Sequence, residues 1–172
     1  VCIRTKDRTA WLIDGGSSTV NGCGTKIIEP YLAYMGISGV EGWMISHYDN
    51  DHTGGLVELL ENYERDLSGR NIGGITIGEI VLPDTEEESK IRDRILTLAA
   101  ANEIPVRFAA KGDHMESGDM KLNILSPGRN VWYGDNNESS MAVLGEYHGF
   151  RFLLTGDICG QAERDLAEAL KK

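Results

Sequence analysis

Nowhere in the 172 residues is there an apolar run close to the ~20 that a membrane-spanning helix needs, and no signal-peptide pattern opens the chain. Basic charge is also scarce: 17 Lys and Arg stand against 27 Asp and Glu, for a net charge of −10. A domain that grips duplex nucleic acid by its phosphates carries a basic face, and no such face can be read here. Cysteine is limited to Cys2, Cys23 and Cys159, odd in number and irregular in spacing, which argues neither for a disulfide framework nor for a Cys-based zinc site. What remains is ordinary globular composition, 41% hydrophobic and 26% charged, and one domain over residues 1–172 is expected. The chain opens at Val1, not Met, inside a strand-like stretch, and so reads as an excerpt of something longer.

Histidine is sparse as well, but half of it is concentrated. Two of the four histidines fall in His47-Tyr48-Asp49-Asn50-Asp51-His52, together with two aspartates. Trp43-Met44-Ile45 before them is apolar and bounded by Gly42, so it reads as a buried strand. Thr53-Gly54-Gly55 after them reads as a turn into an amphipathic helix beginning near Leu56. The cluster is thus expected on a tight strand-to-helix loop. Imidazole nitrogen with carboxylate oxygen suits zinc, iron or manganese better than magnesium or calcium. His47 and Asp49, two apart, point one way if strand geometry persists, while Asp51 and His52 follow the bend and face a second ion. A solvated loop of caps and turns would account for one histidine or one aspartate pair. Four ligand-type side chains between a strand and a Gly-Gly pair are better explained as a metal site. His114 and His148 have no spaced partner and are assigned to the surface.

Along the chain, Ala10 to Ile13 is a short apolar strand that ends in Asp14-Gly15-Gly16. Residues 17–25 read as a loop, and a helix follows from Ile27 to Gly36. The polar stretch from Asn62 to Gly74 reads as loop at its Gly-rich end. Ile75 to Leu82 reads as a strand stopped by Pro83, with Gly78 as a possible break, and Pro105 to Phe108 as another. Between them a helix is expected from Glu86 to Asn102, with Asp84 to Glu88 as solvated acids at its positive end. Lys111 to Asp119 reads as a turn-rich connection, and strands are expected at Lys121–Ser126, from Met141 and at Phe152–Thr155, before a helix from Gln161 to Leu170. Gly156-Asp157 puts another carboxylate at a strand's end. Alternation of strand and helix predicts a layered α/β domain.

His-x-Asp-x-Asp-His followed by Gly-Gly resembles the metal signature of the metallo-β-lactamase superfamily, with Asp49 where a second histidine is usual. With Leu12-Ile13-Asp14-Gly15-Gly16 and Leu153-Leu154-Thr155-Gly156-Asp157, it resembles the hydrolase domain of ComEC-type DNA-uptake (competence) proteins. The resemblance implies a four-layer αββα sandwich, truncated here at both ends. It implies two divalent ions, zinc or manganese, one on His47, Asp49 and Asp157 and the other on Asp51, His52 and Asp157. Asp14 would orient a metal-bound histidine without being a ligand, and Asn137 and Ser140 would line the site. Asp51 would also accept or relay a proton, making it the catalytic candidate. The implied reaction is metal-assisted hydrolysis, with phosphodiester bonds of DNA as substrate and a transmembrane channel domain on the same parent chain as partner. The alternatives are hydrolysis of small esters or thioesters, or a non-catalytic metal-binding module of a transporter. Members of the family add a histidine motif beyond the region of Lys172 and an Asp-rich segment before the first strand, and neither is present in these 172 residues.

Overall fold

The computed structural model describes residues 1–6, 9–63 and 74–171. The 64–73 part of the expected loop lies outside the described residues. Among the described residues, nine strands form two sheets, accompanied by four α-helices. The first sheet runs in the order β1 (Cys2–Arg4), β2 (Ala10–Ile13), β3 (Gly39–Met44), β4 (Thr76–Pro83), β5 (Val106–Ala109). Only β1 is antiparallel to its neighbour; β2 to β5 are mutually parallel. Each parallel step needs a crossover, supplied by a π-helical turn (Gly24–Ile28) running into α1 (Glu29–Tyr34), by α2 (Asn50–Glu61) and by α3 (Lys90–Ala101). The second sheet is an antiparallel meander of β6 (His114–Ser117), β7 (Met120–Ser126), β8 (Ala142–Tyr147) and β9 (Phe150–Leu154). α4 (Gly160–Ala169) returns against β7. The layers are therefore helix, sheet, sheet, helix.

Strand alternation sorts the apolar residues into two cores. Leu12, Trp43, Ile80 and Leu82 face the helices and pack with Leu32, Leu56, Leu60 and Ile95. Their neighbours Trp11, Ile13, Met44 and Val81 face the second sheet and pack with Met120, Leu122, Ile124 and Val143. Burial on both faces is why β2 and β3 read as continuous apolar runs, and it fixes the positions at which each parallel strand ends. Asp14 follows β2, His47 lies three residues past β3, and Glu87 four residues past β4, so all three leave the same edge of the sheet. Ligand sites of parallel sheets form at that edge.

Four expectations change. α2 begins at Asn50, not near Leu56, so Asp51, His52 and the Gly-Gly pair lie inside a helix instead of on a loop and turn. Gly54-Gly55 reads as a turn because glycine costs a helix about 1 kcal/mol, but here it serves packing. The Gly55 N–H donates to Gly15 O at 2.6 Å, and a Cβ on Gly55 would lie 2.0 Å from that oxygen. α3 begins at Lys90 rather than Glu86, because the Ser89 side chain accepts from Arg92 N–H and caps the helix there. Glu86 to Glu88 are thus not a solvated helix start, and Glu87 is buried. The expected turn region at 111–119 contains β6, where Met115 and Ser117 point inward against β7 and only one strong hydrophobe marks the strand. β4 runs through Gly78 without a break.

Candidate metal centre

β3 ends at Met44, and Ile45 N–H donates to Val81 O at 2.9 Å, which carries the chain in extended register as far as Ser46. Asp49 then takes an extended conformation and starts α2, its carbonyl accepting from His52 N–H, Thr53 N–H and Thr53 Oγ1. His47 therefore stands on the strand extension and His52 in the first turn of the helix. The two rings face each other with centroids 4.1 Å apart. Asp157 reaches them from the turn after β9, where Gly156 holds a left-handed φ of 54° and packs so tightly on Ser46 that a Cβ would lie 2.7 Å from Ser46 Cβ. One ligand atom each from His47, His52 and Asp157 lies within 4.8 Å of the others.

Hydrogen bonds set both imidazoles to the same tautomer. Asp14 Oδ1 accepts from Ser46 N–H at 2.7 Å and Oδ2 accepts from Ser46 Oγ at 2.8 Å. His52 Nδ1 lies 3.0 Å from Asp14 Oδ2 and, facing an acceptor, carries the hydrogen, which leaves Nε2 with its lone pair. His47 Nδ1 lies 3.0 Å from Ser46 Oγ and 3.3 Å from Ser140 Oγ. Since the Ser46 hydroxyl hydrogen is directed to Asp14, Ser46 Oγ is free to accept from His47 Nδ1–H, the tautomer that leaves Nε2 with its lone pair. That Nε2 is buried and has no hydrogen-bond partner among the described residues. His52 Nε2 lies 3.5 Å from Asp157 Oδ1. Two imidazole lone pairs and a carboxylate, aimed at one point with their outer nitrogens already held, make a donor set that fits a divalent transition ion such as zinc, iron or manganese.

The two histidines are held differently. Burial pushes the His47 pKa below its ordinary value, helped by repulsion from His52. The hydrogen bond to Asp14 pulls His52 above its ordinary value against the effect of burial. Burial thus favours the neutral form of His47, while the Asp14 hydrogen bond favours the charged form of His52.

The remaining candidates are placed unevenly. Asp49 Oδ2 lies 3.7 Å from His47 Nε2, and its Oδ1 accepts from Asn136 Nδ2 at 2.7 Å. Asp51 is exposed in the first turn of α2 and does not join the convergent group. His47 and His52 thus converge with Asp157, the residue expected to be shared between the two ions. Ser140 touches His47, whereas the side-chain oxygen of Asn137 is buried without a hydrogen-bond partner among the described residues. Ser46 and Asn136 are absent from the sequence reading. Adjacency to His47 is the one signal for Ser46, and Asn136 looks no different from Asn137 in the sequence. His114 and His148 are exposed, the latter 3.3 Å from Asp119.

The family model described as the metallo-beta-lactamase superfamily matches residues 1–64, the segment that contains Asp14 and the His47–His52 cluster. ComE operon protein 3 of Bacillus subtilis (strain 168) is 24% identical over 143 residues, which cover 83% of this chain and 17% of that protein. The chain therefore spans about a sixth of the length of the curated relative it matches. Among solved structures, the metallo-beta-lactamase fold protein YhfI from Bacillus subtilis aligns over 90% of this chain and 52% of its own, at TM-score 0.53 and 12% identity. CmlA, a diiron beta-hydroxylase from Streptomyces venezuelae, aligns over 91% of this chain and 28% of its own, at TM-score 0.54 and 13% identity. Members of the superfamily are generally metal-dependent hydrolases. The chain has the metallo-β-lactamase fold, carries its His-x-Asp-x-Asp-His cluster inside the segment that the superfamily model matches, and resembles ComEC-type proteins.

Proposed function

We propose that this chain is a metal-dependent phosphodiesterase acting on DNA, the hydrolytic part of a DNA-uptake protein. The observation that carries the reading is the orphaned Nε2 of buried His47, which faces His52 and Asp157. A buried imidazole nitrogen without a partner is costly, and an ion at that point would satisfy it. His47, His52 and Asp157 would hold a divalent ion there, which would supply water activation and stabilisation of charge on a phosphoryl oxygen. The chain's own residues do the rest. Ser46 and Asp14 fix both imidazoles, Asp157 closes the group from the second sheet, and Asp49, held by Asn136, places an acceptor beside it. Asp51, exposed on the first turn of α2, is the residue proposed to pass a proton to solvent.

Zinc and manganese are the proposed ions, with a second ion recruited by Asp51 and Asp49 on the rim. DNA as substrate and a membrane-embedded partner domain are carried over from the similarity to ComE operon protein 3. No helix among the described residues is long and apolar enough to cross a membrane. The test is cleavage of single-stranded DNA by the chelator-treated chain after addition of zinc or manganese. Cleavage that returns with metal and is lost in His52→Ala supports the reading. Metal binding with no cleavage of any phosphodiester would replace it with a metal-binding module.

A further inference from the structure

A second feature opens on the same edge as the metal centre. Beyond Asp49 lies an open cleft of about 680 Å³, within the ~300–1,000 Å³ usual for ligand sites. Its walls are Tyr48 and Asp49 on one side, Glu86 to Ile91 on another, and Trp132 with Asn136 on the third. Asp49 and Asn136 join the cleft to the metal centre, since Asn136 bonds Asp49 and Asp49 lies 3.7 Å from His47 Nε2.

Three properties narrow what enters it. Trp132 is 38% exposed, whereas Trp11 and Trp43 are 1% and 0% exposed, so the indole left open to a ligand is the one on the cleft wall. Glu87 is only 6% exposed, yet its carboxylate has no hydrogen-bond partner among the described residues; the contact to Arg92 uses its backbone carbonyl. Glu86 and Glu88 at the rim are exposed acids; Lys90 is the cation in the cleft wall, and Arg92 lies beside Glu87. Those acids repel a phosphate backbone from the cleft and leave it to a neutral, flat group. Burial pushes the Glu87 carboxyl up to about 7, so near neutrality it is partly protonated and can both donate and accept. A flat, uncharged ring with a hydrogen-bonding edge meets all three conditions.

We propose that this cleft is a nucleobase subsite, in which Trp132 stacks on the base of the nucleotide whose phosphate is held at the metal centre and Glu87 hydrogen-bonds the base's edge. The proposal rests on the phosphodiesterase reading and specifies its substrate as unpaired strand, because only an unstacked base can turn onto Trp132. It also explains how a chain of net charge −10 takes nucleic acid without a basic face: the contact is through the base.

The first measurement needs neither metal nor phosphate. Deoxynucleosides titrated into the metal-free chain should quench the tryptophan emission saturably, since Trp132 is the accessible indole, and Glu87→Gln should alter the order of preference among the four bases. The second compares wild type with Trp132→Ala on metal-loaded cleavage of single-stranded DNA carrying either normal or abasic nucleotides. Loss of stacking should lower kcat/KM about 10-fold on the normal strand and leave the abasic strand unchanged, with Trp132→Phe restoring most of the difference. Nucleosides that fail to quench, together with equal effects of Trp132→Ala on both strands, overturn the subsite while leaving the phosphodiesterase reading intact. Saturable nucleoside quenching in a chain that cleaves no phosphodiester upholds the subsite and removes the reading.

Discussion

His47, Asp49, Asp51 and His52 fall within six residues, yet the fold treats the two histidines and the two aspartates differently. The histidines meet each other and Asp157, with every outer nitrogen held by Ser46 or Asp14. The aspartates stay at the rim, one bonded to Asn136 and the other exposed on α2. The difference comes from the strand-to-helix junction at Asp49. A five-residue step from the end of an extended segment into a first helical turn brings residue 52 back over residue 47, while residue 51 is rotated about 100° away around the helix. Side chains of suitable type are therefore not equivalent ligands, and the sharpest tests separate the two pairs.

The largest effect is expected at a convergent histidine. His52→Ala removes a donor whose tautomer is already set, and affinity for zinc in competition with a chelating dye should fall by more than about 100-fold. Asp14→Asn comes next, because it leaves the ligand in place but alters the acceptor that holds His52 Nδ1–H. Its loss should be about 10- to 100-fold in metal affinity, the range found for groups that orient a metal-bound histidine. A His52→Ala variant that binds as tightly as wild type would place the site elsewhere.

Much of this was legible in the residues and some was not. Histidine and aspartate announce metal chemistry by type, and a Gly-Asp at a strand's end marked Asp157. Ser46 and Asn136 carry no such signal, since serine and asparagine are ordinary at turns. The helix start at Asn50 was hidden by Gly54-Gly55, which local propensity reads as a turn but tertiary contact with Gly15 keeps helical. Glu87 looked solvated because acids before a helix usually are, and the Ser89 cap that turns Glu86 to Glu88 into a cleft wall is a local bond that spacing does not reveal. β2 and the C-terminal halves of β3 and β4 were readable because they are buried on both faces. β6, half exposed and with one strong hydrophobe, was not.

The glycine pair beneath the site extends the comparison to stability. A Cβ on Gly55 meets the Gly15 backbone, while one on Gly54 meets only the side-chain end of Asn50 at 3.3 Å. Gly55→Ala should cost about 1–3 kcal/mol and lower the melting temperature by several degrees, at ~2–4 °C per kcal/mol for a chain of this size. Gly54→Ala should leave it unchanged or raise it slightly through helix propensity. Equal effects in calorimetry would mean that the two helical glycines do not differ as described.

The smallest effect concerns Glu87 and pH. Its carboxyl, ordinarily near 4.5, is held to about 7 by burial, so the folded chain binds that proton more tightly than the unfolded one. The associated stability is fully present below about 4.5 and is lost as pH rises through about 7. Glu87→Gln should therefore flatten part of the fall in melting temperature between those values, and parallel curves for the two proteins would show that the side chain is not buried in this way.

The central claim is that His47, His52 and Asp157 form the core of one metal site. Calorimetric titration of zinc into the chelator-stripped chain tests it most directly, with His47→Ala and Asp51→Ala measured beside wild type. The account predicts that Asp51→Ala still binds at least one equivalent tightly and that His47→Ala loses this tight equivalent. Tight stoichiometric binding by His47→Ala, or its complete loss in Asp51→Ala alone, would contradict it.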